Sequence, residues 1–216
     1  MSKIAPGCGE RHNEAVTSPR RRLSIAERRR QIAEHSVELV ARYGSYGVTM
    51  QHVADAVGLT LPGLLHHVRN RDDLLAMLIE LQFDQDPAET SRSLWDDETM
   101  TLPQVLRGIV ARNAGRPELT ALYLLLAVEA RDPAHPAHTY YADRHARIVD
   151  AFIERPWSLP ERFRDKGALA DLVRASLSAL DGVQLQAQTD PREGAEDLWS
   201  RVERAFFGGS EWDGYR

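Results

Sequence analysis

The sequence predicts an all-α fold in two parts, an N-terminal three-helix unit that contains a helix-turn-helix and a larger C-terminal helical domain. Three observations carry this. Apolar residues recur at three- and four-residue spacing and no alternating, strand-like run persists. Caps, glycines and prolines fall between those runs and punctuate them. Residues 49–74, TMQHVADAVGLTLPGLLHHVRNRDDL, set two short amphipathic runs on either side of one glycine. With 216 residues and 43% hydrophobic content the chain has enough apolar material for one large or two small domains.

Residues 1–22 mix Pro, Gly, Ser and charge without apolar periodicity, which predicts a disordered basic arm ending in Arg20, Arg21 and Arg22. Ser24 and Glu27 form the pattern of a capping box and start a helix expected to run to about residue 43. Ile25, Ile32, Leu39 and Tyr43 are expected along its inner side, with Arg28, Arg29 and Arg30 near its start. Gly44 and Gly47 stop that helix.

Thr49 is a good N-cap, and Val53, Ala54 and Val57 follow at helical spacing, so a helix is expected over residues 50–57. Gly58 suits the left-handed residue that ends it, Leu59 fills the turn, and Thr60 caps a second helix with Pro62 in its first turn. Ala54 is small because two helices crossing at a short turn leave no room for bulk. From Leu61 to Val68 only Leu64 and Val68 make an inward pair. Leu61, Gly63, Leu65, His66 and His67 are left on a face that a core would not wholly cover, as a helix entering a major groove requires.

The run from about residue 24 to residue 75 resembles the DNA-binding domain of TetR-type transcriptional regulators. Their recognition segment commonly reads G-V-S-x-x-x-L-Y-x-H/Y-F-x-x-K-x-x-L; here Gly58, Leu59, Thr60, Leu64, Leu65, His67, Val68, Arg71 and Leu74 fall in register with it. Leu65 stands where the family usually has a phosphate-contacting tyrosine. Leu61 and Gly63 occupy positions that often carry polar groups, which shifts base readout toward methyl contacts, Gln51 and His66. The resemblance implies that Thr49, Gln51, Thr60, Leu65, His67 and Arg71 position the protein on phosphates or groove edges, with Leu61, Gly63 and His66 nearest the bases. The arginine arm is either a solvated tail or a segment that reaches an adjacent minor groove.

Asn70 caps the next helix, and Asp72 and Asp73 suit the positive end of its dipole. Leu74, Leu75, Leu78, Ile79 and Leu81 make its apolar side to about residue 85, and the domain boundary falls inside it near residue 75. That divides the chain into the arm, a helix-turn-helix domain over 23–75 and an effector-binding and dimerisation domain over 76–216. By the resemblance this helix links the two and its tilt transmits the signal.

Residues 86–100 are acidic, with a short helix expected around Leu94 and Trp95. Further helices are expected over residues 103–114, 117–128, 136–154, 168–188 and 194–207, each bounded by Pro, Gly or Asp. The third of these rows of side chains, including Ile148, Val149, Phe152 and Ile153, is amphipathic; residues 119–128 are apolar nearly all round and should be central to the body. The helix over 168–188 carries a polar stripe of Asp171, Arg174, Ser178 and Asp181.

The last two helices have more apolar surface than one packing face needs, which suggests a partner. The resemblance implies a homodimer built on them, with Leu172, Leu180, Val183, Leu198, Val202 and Phe206 at the interface. Its two recognition helices would meet a palindromic operator about one DNA turn, or a small multiple, apart. Trp95, Arg112, Tyr123, Glu129, Tyr140 and His145 are candidates to line a small-molecule pocket, because amphipathic side chains on apolar helices can orient a ligand. No cofactor is expected. His135, His138 and His145 lack the cysteines or compact acids of a metal site, and His66 and His67, adjacent on a helix, point about 100° apart.

The net charge of −5 is unevenly spread. Residues 1–75 carry 11 Lys and Arg against 8 Asp and Glu, and the remainder 16 against 24, so one end is suited to phosphates. The single cysteine, Cys8, excludes a disulfide framework. No apolar run reaches membrane-spanning length and no secretory signal is present, so a cytoplasmic protein is expected, without a membrane partner. No nucleophile elbow, phosphate-cradling loop, metal set or acid pair argues for an enzyme. The expected function is that of a dimeric transcriptional regulator, a repressor released from operator DNA by a small-molecule effector. The alternative is a helical ligand carrier or interaction protein with a degenerate helix-turn-helix.

Overall fold

The computed structural model describes residues 23–81, 97–190 and 192–216, and these form helices, turns and loops with no strand among them. Helices α1 (Ile25–Gly47), α2 (Met50–Ala56), α3 (Leu61–Leu65) and α4 (Arg71–Ile79) make the N-terminal end. Helices α5 (Leu102–Ala114), α6 (Pro117–Glu129), α7 (His138–Glu154), α8 (Lys166–Thr189) and α9 (Ala195–Phe207) make the body. Short 3-10 turns, Glu161–Phe163 and Ser210–Trp212, precede α8 and follow α9. The basic arm and the stretch around Leu94 and Trp95 lie outside the described residues.

The caps act as expected. Ser24 and Glu27 close a reciprocal capping box, Glu27 Oε2 accepting from Ser24 N at 2.8 Å. Asn70 Oδ1 accepts from Asp73 N at 2.8 Å, and Asp165 Oδ1 accepts from Ala168 N at 3.0 Å to start α8. Each satisfies an amide that the first helical turn leaves without a partner. Gly44 has φ 75 and ψ 162, which breaks α1 after Tyr43 before one more turn forms.

Two cores organise the molecule. The first joins Ile32, Val40, Val53, Leu64, Val68, Leu74 and Leu78 to Leu122 and Leu126 of α6 and Tyr141 of α7. The second holds Leu102, Leu106, Val149, Phe152, Val173, Trp199, Phe207 and Trp212. Residue 75 therefore lies within a helix whose buried side chains share a core with the body. Helix α1 packs against α2, α4 and α6, while α8 packs against α5, α6, α7 and α9. Helix α7 enters both cores, through Tyr141 in the first and Val149 and Phe152 in the second, and α6 of the first core packs against α5 and α8.

Three expectations change. On α1 the inward row is Ile32, Ala33, Ser36, Val37 and Val40, whereas Ile25 is 68% exposed and Tyr43 49% exposed. Ile25 is on the same face as Ile32, seven residues earlier, but no described helix covers that first turn. The central helix of the body is α8: α6 buries only Thr120, Leu122 and Leu126 and leaves Val128 at 63% exposed, because it packs mainly along α1. The stripe on α8 splits, with Asp171, Arg174 and Ser178 exposed while Asp181 turns inward.

Candidate functional site

The N-terminal site is built by local hydrogen bonds around a dry wedge. Thr49 Oγ1 accepts from His52 N at 3.2 Å, and Thr60 Oγ1 accepts from Gly63 N at 3.2 Å. Gly58, at φ 67, turns the chain, and Leu59 N donates to Ala54 O at 2.9 Å across the bend. Val53, Ala54, Leu64 and Val68 are fully buried, so the angle between α2 and α3 is fixed by packing. A Cβ at Gly63 would stand 3.2 Å from Thr60 Oγ1, tight enough to press on the cap. Glycine there protects the first turn of α3.

Outward from this wedge, Thr49, Gln51, Thr60, Leu65 and His66 are exposed, and Leu61, Gly63, His67 and Arg71 are half-buried. Leu65 is 39% exposed. Gln51 Nε2 donates to Asp55 Oδ1 at 2.6 Å, which holds its amide along α2. The Arg71 guanidinium lies 4.5 Å from the ring centroid of Tyr46 and 3.7 Å from Asp72 Oδ1. Arg29 Nη1 donates to the carbonyl of His67 at 2.8 Å and anchors the turn after α3 to α1.

The helix itself is shorter than expected. It ends at Leu65, with His66 at its C-terminal cap in helical backbone geometry and His67 in the following turn. Their rings are edge to face with centroids 5.3 Å apart. Burial pushes the His67 pKa down, with help from the nearby charges of His66, Arg28 and Arg29, so a neutral imidazole is favoured there.

The body encloses a cavity of about 160 Å³. Arg112, Tyr123, Tyr140 and His145 line it, as expected, while Glu129 does not. Glu129 Oε2 lies 3.6 Å from His135 Nε2 at the end of α6, beside the break in α1. Trp95 is outside the described residues. The cavity also takes Asn113, Arg116, Arg144, Asp181 and Gln184, which sequence reasoning missed. Asp181 had been expected on an outward polar stripe; the others had no periodic signal, since the cavity forms where several helices meet.

Polar groups in the cavity are linked. Tyr141 donates to the carbonyl of Tyr123 at 2.8 Å, and Arg144 Nη1 donates to the Tyr123 hydroxyl at 2.8 Å. Burial pushes the Tyr123 phenol up to about 12 and the Tyr141 phenol further, the nearby Arg144 charge opposing both shifts. Burial also raises the Asp181 pKa against the pull of Arg144 and His145, whose Nε2 is 3.9 Å from Asp181 Oδ2. Gln184 is 3% exposed, and its Nε2 has no hydrogen-bond partner among the described residues.

No protein-family model and no curated protein matches this sequence, but solved structures match its fold. A protein assigned to the TetR family of transcriptional regulators, from Rhodococcus sp., has TM-score 0.61 at 20% identity, over 83% of this chain and 96% of its own. Salmonella enterica GusR has TM-score 0.62 at 16% identity, over 86% and 97%. AibR, solved with isovaleryl coenzyme A and operator DNA, has TM-score 0.60 at 21% identity, over 83% and 97%. The fold is that of the TetR-type regulators.

Within this TetR-type fold the side chains named for dimerisation divide. Leu180, Val183 and Leu198 lie in the protomer's own second core, whereas Leu172, Val202 and Phe206 are only half-buried. Leu172 and Phe206 border a shallow trough between α8 and α9 with Ala175 and Ala205. Leu185 of α8 is 55% exposed. Among the described residues no three His, Cys, Asp or Glu side chains gather as a metal site would need, and no helix is long and apolar enough to cross a membrane.

Proposed function

We propose that this protein is a TetR-type transcriptional regulator, a repressor that binds a palindromic operator as a homodimer and leaves it when a small molecule occupies the body. The observation that carries the reading is the uncovered face of the recognition segment. Leu65 and His66 stand exposed on a wedge whose other side is fully packed, Leu61 and Gly63 are half-buried beside them, and Thr49, Gln51, Thr60 and Arg71 lie around them. Short apolar and neutral groups flanked by capping hydroxyls and a cation suit a groove bordered by phosphates.

The half-buried apolar side chains of α8 and α9 support a two-fold partner on that face, which would set two recognition segments against one duplex. AibR, of like fold, binds both an acyl thioester and operator DNA, which supports a protein with two ligands. Helix α6 offers a path between them. Tyr123 lines the cavity, and six residues on, Glu129 meets His135, whose ring centroid is 6.1 Å from that of Tyr46 on α1. Tyr46 in turn stacks under Arg71. A ligand that shifts α6 changes the setting of α1 and Arg71, and it releases DNA only if it prefers that altered geometry.

Fluorescence anisotropy with DNA flanking the protein's own coding region tests the reading. Arg71→Ala should weaken all sequences alike and reduce the salt slope by about 1, and His66→Ala should change sequence preference. Salt-insensitive binding, or equal affinity for every sequence, would count against a regulator and for a helical carrier.

A further inference from the structure

The two arginines that flank the Asn70 cap of α4 are held differently. Arg69 leaves 85% of its side chain exposed and lies 3.6 Å from Asp73 Oδ2. Arg71 leaves 33% exposed, and its guanidinium carbon sits 4.5 Å from the centroid of the Tyr46 ring, within the range of a cation–π contact. The competing partner is Asp72, whose Oδ1 is 3.7 Å from Arg71 Nη2 and so beyond hydrogen-bond distance. A ring attracts the charge without supplying an oxygen acceptor. It therefore restrains the guanidinium while N–H donors of its five stay uncommitted.

Tyr46 owes its place to the break in α1. Gly44 takes φ 75, and the turn that follows buries Ser45 and leaves Tyr46 exposed, its ring centroid 6.1 Å from that of the buried His135. The ring that meets Arg71 thus rests against a fixed neighbour. A free surface arginine samples many rotamers and loses that freedom when it grips a phosphate, whereas a side chain already held loses less.

We propose that Tyr46 is a positioning residue for DNA binding: its ring pre-orders the Arg71 guanidinium and keeps it off Asp72, so that the cation meets a phosphate with its donors free. This rests on the regulator reading above. The ring acts through Arg71 alone, and the hydroxyl takes no part.

The test is fluorescence anisotropy of the full-length protein on a fluorescein-labelled duplex taken from the DNA flanking its coding region, over a series of salt concentrations. Tyr46→Phe keeps the ring and should bind as the wild type does, with the same salt slope. Tyr46→Leu keeps apolar bulk without a π face and should bind about two- to fivefold more weakly, the fold-change of a surface cation–π contact. In an Arg71→Ala background Tyr46→Leu should change nothing further, because the ring then has no guanidinium to hold. A merely structural role for Tyr46 would weaken binding equally in both backgrounds, and that result overturns the proposal. Tyr46→Phe as weak as Tyr46→Leu, which would give the work to the hydroxyl, overturns it as well.

If Arg71→Ala weakens binding and Tyr46→Leu leaves it as it was, only this inference falls. If the wild type binds no duplex even at low salt, where phosphate contacts act on any sequence, the regulator reading falls and takes the inference with it.

Discussion

The two ends of the molecule keep their polar groups in opposite places. In the helix-turn-helix, hydroxyls and imidazoles ring the outside of a dry wedge of Val53, Ala54, Leu64 and Val68. In the body, Arg144, Tyr123, Asp181 and Gln184 turn inward around a cavity. The first arrangement exposes what is needed to touch a large flat partner, and the second encloses what is needed to surround a small one. Under the proposed function, rigid packing under one site and a cavity under the other give them different mechanical roles, one a fixed reader and one a place where ligand binding does work on the fold.

The largest effect that would break this contrast comes from the wedge. Leu64→Ala should cost about 2–5 kcal/mol in denaturant unfolding, since Leu64 is fully buried. Far-UV circular dichroism and tryptophan fluorescence should follow one transition, because α7 contributes to both cores and α6 of the first packs against α5 and α8 of the second. Two separated transitions would show that the ends are not mechanically joined.

Next in size is an alkaline effect at the cavity. Burial raises the Tyr123 phenol from 10.0 to about 12, so between those values the unfolded chain has lost that proton and the folded chain has kept it. A folded pKa raised above the unfolded one gives stability that is complete below pH 10 and is lost as pH rises toward 12. Wild type should therefore lose about 2–3 kcal/mol more than Tyr123→Phe over that window, read from urea midpoints at each pH. Parallel curves would mean that the phenol is solvated and the cavity wall open.

Smaller effects sharpen the reader end. Gly58→Ala forces an L side chain to φ 67 and should cost about 1–2 kcal/mol although nothing crowds the added methyl. Thr60→Ala removes the acceptor for Gly63 N and should cost about 1 kcal/mol in urea melts. It should weaken DNA binding more than its stability loss explains, because the cap hydroxyl also stands at the presenting edge.

What was legible from sequence divides along the same line. The wedge is made by contacts between residues close in the chain, so Thr49, Gly58, Thr60 and the pair Leu64 and Val68 declared it through caps, turn and spacing. Helix length was less legible: nothing in the pattern marks the stop after Leu65, where His66 and His67 enter a turn. The cavity depends on how α5, α6, α7 and α8 cross, which periodicity does not encode. Arg112, Tyr123, Tyr140 and His145 stand out in the sequence as polar side chains on apolar helices, but Gln184 gives no signal, Asp181 reads as part of a polar stripe, and Glu129 reads as a cavity residue although it lies beside His135 and the break in α1. The face proposed for dimerisation shows the same limit, since Leu180 and Val183 serve the protomer's own core while Leu172, on the same helix, borders the exposed trough.

Selection of bound duplexes from a random DNA pool tests the central claim most directly. With the face around Leu61, Gly63 and His66 laid in a major groove twice over, the enriched sequence should be an inverted repeat whose half-site centres lie about one helical turn, or a small multiple of it, apart. His66→Ala should change the bases selected within each half-site and leave their spacing as it was. Enrichment of no sequence, or of one without a two-fold centre, would contradict the account.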